Sequence, residues 1–241
     1  MTGMRAFGIL GWAHIRGHKS EYLAMLSISL VLGIVKAFDE PVVFDRLFLP
    51  HHFDYLRMTL QFGIIRGVLE PLLSFSIPGL FLYTVISDRK SGRILLAYQL
   101  PCRNALPLFV TLITVLFMGY MILLFGRAVY TAFMPVWFSF REIKIFSNIL
   151  LLCGIICALE GLLCMVKTNR LLLGFVFFIV VMICVISLNE ILKDFFLNHY
   201  RVYFSDINLH QFLTMHSIFP GCAGLLFAAA GLALTERYRD L

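Results

Sequence analysis

Residues 105–125 read ALPLFVTLITVLFMGYMILLF, 21 consecutive positions without a charged side chain. A helix rises about 1.5 Å per residue, so about 20 mostly apolar residues cross the roughly 30 Å hydrocarbon core of a bilayer. The continuous run of Leu, Ile, Val and Phe has none of the strict in-and-out alternation of a barrel strand. The stretch therefore predicts a transmembrane helix.

Five further stretches share this character, and the composition agrees with them. Of the 241 residues 60% are hydrophobic and 14% charged, against about 45–50% and about 25% in soluble domains. A domain of this size has too little interior to bury such an excess, which excludes a soluble globular enzyme. The sequence predicts an all-α membrane protein with one domain, residues 1–241, and six transmembrane helices. The predicted spans are Tyr22–Phe38, Val68–Ile86, Ala105–Phe125, Asn148–Val166, Leu171–Leu188 and Ile218–Leu234.

The distribution of Lys and Arg predicts the orientation. One set of segments, residues 1–21, 87–104, 167–170 and 235–241, holds eleven basic and four acidic residues. The segments on the opposite side hold nine basic and eight acidic residues. Because basic loops stay in the cytoplasm, both termini are expected there.

Two segments outside the spans are predicted to be interfacial helices. In residues 1–21, Arg5, Trp12, Arg16 and Lys19 share one side of a helical wheel, which predicts a cytoplasmic amphipathic helix; a partly ordered basic tail is the alternative. In residues 189–214 the apolar positions also share one side, which predicts an external re-entrant or interfacial helix before the last span. A helix lying on the outer surface fits that pattern equally well.

The segment between the second and third spans reads SDRKSGRILLAYQLPCRNALPLF, residues 87–109. Gly92 permits a sharp turn after a charged cluster, and the apolar run that follows stops at Leu100-Pro101 because proline cannot donate a backbone hydrogen bond. Residues 87–104 are therefore predicted to form a short apolar helix parallel to the membrane. Its flanking charges suit contact with a cytoplasmic partner.

This pattern, between the second and third of six spans, resembles the type-2 class of ABC exporter permeases. The matching residues, which the resemblance assigns to coupling with an ATPase, are Asp88, Arg89, Lys90, Gly92, Leu95, Leu96, Leu100, Pro101 and Arg103. Arg93 lies in the same segment, although the family usually has a small hydroxyl residue there, and Asp88 stands where the family usually has Glu. The amphipathic N-terminal helix and the turn at 167–170 also resemble the family layout.

The resemblance implies a permease subunit in a prokaryotic cell membrane that needs no cofactor of its own. The sequence contains no G-x-x-x-x-G-K-[ST] phosphate loop, so ATP would be hydrolysed by separate nucleotide-binding subunits, two per complex. A second permease subunit, either a copy of this chain or a sister chain, is also implied. Because the spans have no continuous polar stripe, the expected cargo is amphipathic: a peptide, a drug or a lipid-like molecule.

Two acidic residues lie within the predicted spans. Glu160 shares one side of the fourth span with Cys153, Cys157 and Cys164, which fits either a soft-metal site or a packing face. The neighbouring stripe Gly154, Ala158 and Gly161, like Gly224, Ala228 and Gly231 in the last span, favours close helix packing. Glu70 is expected to pair with Arg66, four residues earlier.

Other functions are less well supported by the sequence. The basic residues, which raise the isoelectric point to about 9.1, are scattered over short loops, which argues against nucleic-acid binding. An intramembrane metalloenzyme remains an alternative because several histidines lie on the predicted outer side, but no H-E-x-x-H or G-x-S-x-G motif is present. A structural or assembly protein without transport activity is the other alternative.

Overall fold

The computed structural model describes residues 3–39, 55–91, 105–133, 140–165 and 206–238, together with some positions between 176 and 191. All of these residues are helical except two turn residues, His18 and Ala105. The predicted all-α class is therefore confirmed over the part of the chain that the structure describes.

The described residues form six long helices. These are α1 (Gly3–Gly17), α2 (Lys19–Asp39), α3 (Tyr55–Ser91), α4 (Leu106–Phe133), α5 (Phe140–Met165) and α6 (Asp206–Tyr238). Five of them contain a stretch long and apolar enough to cross a membrane: Lys19–Ala37, Gln61–Ser87, Leu106–Ala132, Ile145–Cys164 and Ile218–Tyr238. Multiple apolar helices of this length make the chain a multi-pass membrane protein.

These five stretches coincide with the first, second, third, fourth and sixth predicted spans. The predicted fifth span, Leu171–Leu188, falls largely outside the described residues, although the positions described within it are helical. The count of six spans therefore stays a prediction. So does the tight turn at residues 167–170, which lies outside the described part of the chain.

Helix α3 begins earlier than predicted. The sequence placed the second span at Val68–Ile86, whereas the helix runs from Tyr55 to Ser91 and its apolar stretch begins at Gln61. Arg66, which precedes the predicted span, therefore lies within the helix and binds Glu70 on the same side of it.

Helix α6 corrects the predicted segment 189–214. Residues 206–214 are the first turns of one continuous helix that reaches Tyr238, so they are not part of a separate re-entrant helix. Apart from Ile191, residues 189–205 lie outside the described part.

Helix α1 is confirmed as a helix, and it packs against the first turns of α4. A β-carbon on Gly11 would lie 3.2 Å from the Thr114 hydroxyl oxygen, and the rings of Phe7 and Phe109 have centroids 6.4 Å apart. Trp12 is 67% exposed on the opposite side. Residues 3–17 are thus attached to the bundle along one side and leave a large apolar side chain on the other.

Helices α2, α3, α4 and α5 share one apolar core. Ile77, Phe81, Val115 and Ile149, which come from three of these helices, are completely buried, and Leu32 of α2 packs into the same cluster. The largest apolar side chains that remain exposed, such as Phe75 and Leu226, lie on the outside of the bundle. This is the distribution expected when lipid solvates the outer surface.

Contacts between named residues fix the helix directions. His18 faces Thr84 and Lys36 faces Glu70, so α2 and α3 are antiparallel. Ser29 contacts Ile122, and a β-carbon on Gly33 would meet Gly126, so α2 and α4 are parallel. Helices α5 and α6 are also parallel, because Gly154 meets Gly224 and Gly161 meets Gly231.

Candidate functional site

Three groups of polar residues are built into the bundle. The Lys36 cluster (Lys36, Arg66, Glu70 and Arg127) lies near the end of α2, and the histidine cluster (His14, His18, Tyr22 and Thr84) lies near its start. The third group is Glu160 with the neighbouring cysteines of α5. Each places polar or ionisable side chains where a membrane helix usually has apolar ones, which makes each a candidate for function.

In the Lys36 cluster one carboxylate oxygen binds two cations. Glu70 Oε1 lies 3.0 Å from Lys36 Nζ and 3.1 Å from Arg66 Nε. The exposed fractions of the three side chains are 13% for Lys36, 19% for Arg66 and 25% for Glu70. The predicted pair of Arg66 and Glu70 is confirmed. Lys36, the second cation on the same oxygen, comes from a different helix and was not predicted.

Glycines position this cluster. Gly33 and Gly126 lie where α2 and α4 cross, and a β-carbon on Gly33 would collide with the Gly126 carbonyl oxygen. At the same crossing the Ser29 hydroxyl donates a 2.6 Å hydrogen bond to the Ile122 carbonyl oxygen. This close approach brings Lys36, one turn after Gly33, and Arg127, next to Gly126, to a common cleft.

The cleft has an apolar floor and a polar mouth. It is small, and the space of about 310 Å³ in and around it includes open solvent. Its lining consists of Leu32, Leu73, Leu123 and Ile145, the small residues Ser29, Gly33 and Gly126, and the polar residues Lys36, Arg127 and Tyr130. Arg127 and Tyr130 each have a contact with another group of the protein.

The histidine cluster joins α1, α2 and α3. His14 Nε2 and the Tyr22 hydroxyl are hydrogen-bonded at 3.0 Å, and the rings of His14 and His18 have centroids 4.8 Å apart. Burial, followed by the neighbouring His18, lowers the pKa of His14 from its ordinary value of 6.5 to about 4. His14 is therefore neutral at physiological pH.

His18 faces Thr84 of α3 and Glu21 of α2. The Thr84 hydroxyl donates to the Leu80 carbonyl oxygen at 2.8 Å, so in its 3.4 Å contact with His18 Nε2 the imidazole is the donor. His18 Nδ1 is buried and, among the described residues, has no hydrogen-bond partner; the Glu21 Oε1 atom is 3.7 Å away.

Glu160 lies on a buried side of α5. Its exposed fraction is 6%, and Cys153 and Cys157 on the same side are completely buried. Glu160 is four residues before the end of the apolar stretch Ile145–Cys164. Within the described residues no three His, Cys, Asp or Glu side chains are placed to hold a metal ion, so the soft-metal interpretation gains no support.

The predicted packing stripes of α5 and α6 are confirmed. A β-carbon on Gly154 would collide with the Gly224 carbonyl oxygen, and one on Gly231 would collide with the Cys157 carbonyl oxygen. Ala158 and Ala228 are 5% exposed. The side of α5 that carries Cys153 and Cys157 therefore adjoins the close backbone contact with α6. Glu160 lies beside that contact.

The predicted coupling segment, residues 87–104, is described only at its start, together with Ala105, which follows it. Asp88, Arg89 and Lys90 lie on the last turn of α3, which continues past the predicted end of the span at Ile86 to Ser91. The remaining predicted coupling residues, Gly92, Arg93, Leu95, Leu96, Leu100, Pro101 and Arg103, lie outside the described residues. At the far end the Glu236 carboxylate of α6 accepts a 2.8 Å hydrogen bond from the Ala105 backbone N–H.

Sequence reasoning missed Lys36 and the histidine cluster because both depend on contacts between helices. The sequence treats Lys36 only as one charge of the outer set, and it assigns no role to His14 or His18. One signal was available: the spacing His14, His18 and Tyr22 puts all three side chains on the same side of a helix at i, i+4 and i+8. No match to the chain was found among protein-family models, curated proteins or solved structures.

Proposed function

We propose that this chain is the transmembrane permease subunit of an ATP-driven ABC exporter of the type-2 class. Two separate nucleotide-binding subunits would hydrolyse ATP and act on residues 87–104 from the cytoplasm. Two permease subunits, identical or related, would then alternate between conformations that admit an amphipathic cargo and release it.

The observation that carries the proposal is the anchoring of both ends of the coupling segment. Helix α3 continues without a break to Ser91, and His18 contacts Thr84 two turns before that end. On the other side, Glu236 binds the Ala105 N–H that precedes α4. A force applied to residues 92–104 would therefore reach α3, α4 and α6 directly rather than being absorbed by loose helix ends.

The direction of the helices supports six crossings. Helices α5 and α6 are parallel, so the end of α5 at Met165 and the start of α6 at Asp206 are at opposite ends of the bundle. Residues 166–205 must return from one end to the other, and the apolar stretch Leu171–Leu188 is long enough to do so. With six crossings both termini share one side, which the excess of Lys and Arg assigns to the cytoplasm.

The test uses the full chain, tagged and purified in mild detergent from the cells that encode it. We expect a phosphate-loop ATPase to co-purify and its ATP hydrolysis to change in the presence of the chain. The double variant Arg89→Glu/Lys90→Glu should reduce the yield of the ATPase or its stimulation. The matched control is Arg16→Glu/Lys19→Glu, which reverses two exposed basic residues on the same predicted side.

Two outcomes would contradict the proposal. If the ATPase co-purifies equally with both double variants and its activity is unchanged, residues 87–104 do not couple the subunits. If no ATPase co-purifies with the wild-type chain, the assembly protein without a transport cycle becomes the better description.

A further inference from the structure

We propose that the exposed side of α1 binds the headgroup region of the bilayer and selects anionic phospholipid there. The surface, called the Trp12 stripe, consists of Ile9, Trp12, Arg16 and Lys19. It would serve the chain in an exporter and in an assembly protein alike, so the inference goes beyond the proposed function.

The first argument is which side of α1 remains open. An amphipathic helix that lies on a membrane turns its apolar side to the lipid. In α1 the side that carries Phe7 and Gly11 faces α4 instead, because Phe7 contacts Phe109 and Gly11 is buried against Thr114. Only the opposite side, the Trp12 stripe, is left for lipid to contact.

The residues of the Trp12 stripe share one side of the helix. They follow one another at intervals of three or four positions, the spacing that places side chains above one another. Ile9 is 55% exposed and Trp12 is 67% exposed, and Arg16 and Lys19 are exposed as well. The open surface of α1 thus combines two large apolar side chains with two cations.

The second argument is the position of α1 along the bundle. Phe109 and Thr114 lie three and eight residues after the start of the apolar stretch Leu106–Ala132, which is about 5 and 12 Å along the helix axis. This stretch has 27 residues, so at about 40 Å it exceeds the roughly 30 Å hydrocarbon core and its ends reach the headgroups. Helix α1 packs against that end and therefore lies at the membrane boundary.

The third argument is continuity with a surface that faces lipid. The backbone N–H of His18 donates to the His14 carbonyl oxygen, and that of Tyr22 donates to the His18 carbonyl oxygen, both at 3.1 Å. Helical hydrogen bonds thus connect α1 to α2, and the side of the Trp12 stripe continues in α2 with the exposed Leu23 and Leu30. The change from leucine to lysine, arginine and tryptophan along one side marks the boundary between acyl chains and headgroups.

The fourth argument is charge. Glu21, the acidic residue nearest to the two cations in the sequence, accepts a 2.8 Å hydrogen bond from Ser20 on one oxygen, and its other oxygen faces His18. Neither Arg16 nor Lys19 forms a salt bridge within the part of the chain that the structure describes. Both cations are therefore available to anionic headgroups, which attract basic residues at a membrane surface.

The type of aromatic residue favours lipid over a soluble protein as the occupant. Tryptophan is enriched where membrane and water meet, because its ring is apolar and its N–H is polar. Trp12 lies in the middle of the stripe, between Ile9 on one side and the two cations on the other. One phospholipid molecule offers all three the groups they need, namely acyl chain, glycerol ester and phosphate.

The test uses Trp12 as a fluorescent reporter in the full purified chain. The sequence has two tryptophans, so Trp137→Phe leaves Trp12 as the only one. The chain is placed in phosphatidylcholine nanodiscs that contain a fixed fraction of brominated lipid, because bromine quenches tryptophan only at short range. We expect brominated phosphatidylcholine to quench Trp12, and dissolved iodide to quench it much less than free tryptophan.

The headgroup of the brominated lipid tests the selection of anionic lipid. Brominated phosphatidylglycerol at the same fraction should quench Trp12 more strongly than brominated phosphatidylcholine, since each basic residue near an anionic surface favours binding about fivefold. Added salt should reduce this preference, because it screens exposed charges.

Variants in the Trp137→Phe background assign the preference to the stripe. Arg16→Gln/Lys19→Gln should lose the preference for phosphatidylglycerol and keep the quenching by phosphatidylcholine. Arg237→Gln is the matched control, since it removes an exposed cation at the end of α6, and it should keep the preference. If the double variant fails to fold, the comparison of the two lipids and its dependence on salt still decide the question.

Three outcomes would overturn the proposal. If iodide quenches Trp12 fully and brominated lipid does not, the stripe faces water and a soluble protein becomes the better occupant. If the two brominated lipids quench equally, Arg16 and Lys19 do not select anionic lipid. If Arg16→Gln/Lys19→Gln and Arg237→Gln keep the preference to the same extent, it arises from the charge of the whole chain and not from the stripe.

Discussion

Gly154 of α5 and Gly224 of α6 touch through their backbones, so that neither position has room for a β-carbon. Gly161 and Gly231 repeat the contact two turns further along, where a β-carbon on Gly161 would lie 2.6 Å from the Gly231 carbonyl oxygen. In lipid there is no hydrophobic force between helices, and close packing of small residues supplies much of the attraction. These two contacts therefore let α5 and α6 pack closely along their length.

Substitution at this crossing should separate the two helices. Gly224→Ala places a methyl group against the Leu150 carbonyl and should destabilise the fold by about 1–3 kcal/mol, the usual cost of overpacking. Gly63→Ala is the control, because a β-carbon there has nothing within 4 Å. The control should be neutral or stabilising by about 0.5–1 kcal/mol, since alanine favours helix. Thermal unfolding in detergent distinguishes the two, and equal melting temperatures would contradict the packing role.

The hydrogen bond between Ser29 and Ile122 should contribute measurably to stability. Ser29 is 2% exposed and its hydroxyl binds the carbonyl oxygen of a different helix, so Ser29→Ala should cost about 1 kcal/mol. Ser27→Ala is the matched control, since that exposed hydroxyl binds only Leu23 of its own helix. The comparison needs the same thermal unfolding experiment on both variants. If Ser27→Ala loses as much stability as Ser29→Ala, the hydrogen bond between the helices contributes no more than the one within α2.

The sequence alone predicts those features that depend on the residues of a single helix. Long apolar runs located five spans, because hydropathy along a helix depends only on its own residues. The pair Arg66 and Glu70 was predicted for the same reason, and the spacing of Gly154, Ala158 and Gly161 correctly indicated a packing side. Helix ends were less well predicted, because Tyr55 and Asp206 begin helices that continue beyond the apolar stretch.

Features that depend on which helices meet could not be predicted. Lys36 and Glu70 are 34 positions apart in the sequence, and His18 and Thr84 are 66 positions apart. Nothing in the pattern of either helix indicates that these side chains meet, because the contacts depend on how the two helices pack. The candidate sites therefore emerged only from the packed bundle, while the predicted coupling residues lie mostly outside the described part.

Acidification should destabilise the bundle through His14. Its pKa of about 4 in the folded chain is below the ordinary value of 6.5, so the folded state resists protonation. The associated stability is complete above about pH 6.5 and is lost as the pH falls towards 4. One pKa unit corresponds to about 1.4 kcal/mol, and because His14 is partly exposed we expect a loss of about 1–2 kcal/mol.

The measurement compares the melting temperature near neutral pH and at about pH 5 for the wild-type chain and His14→Gln. The groups that face His14 and His18, namely Glu21, Tyr22, Tyr83 and Thr84, are present in both proteins, so the difference isolates His14. His14→Gln should flatten the pH dependence, whereas His52→Gln, in a segment outside the described residues, should not. An unchanged slope in His14→Gln would assign the pH dependence to other groups.

Because Lys36 and Arg66 share one oxygen of Glu70, loss of Glu70 should cost more stability than loss of Lys36. Lys36→Met removes one cation and leaves the bond of Arg66 to Glu70 intact, so it should cost less than about 1 kcal/mol. Glu70→Gln leaves two mostly buried cations without their carboxylate and should cost about 2–3 kcal/mol, approaching the cost of breaking a buried pair. In the double variant Lys36→Met/Glu70→Gln the loss should be smaller than in Glu70→Gln alone, because one cation rather than two has then lost the Glu70 carboxylate.

Thermal unfolding of the four proteins in phosphatidylcholine nanodiscs gives the coupling energy as a double-mutant cycle. Equal losses for Lys36→Met and Glu70→Gln would mean that the carboxylate serves Lys36 alone and that the contact with Arg66 has no energetic weight. A double variant that loses as much as the sum of the single variants would mean that Lys36 and Glu70 do not interact. The predicted order, with Glu70→Gln as the least stable of the four, follows only if the Glu70 carboxylate stabilises both cations.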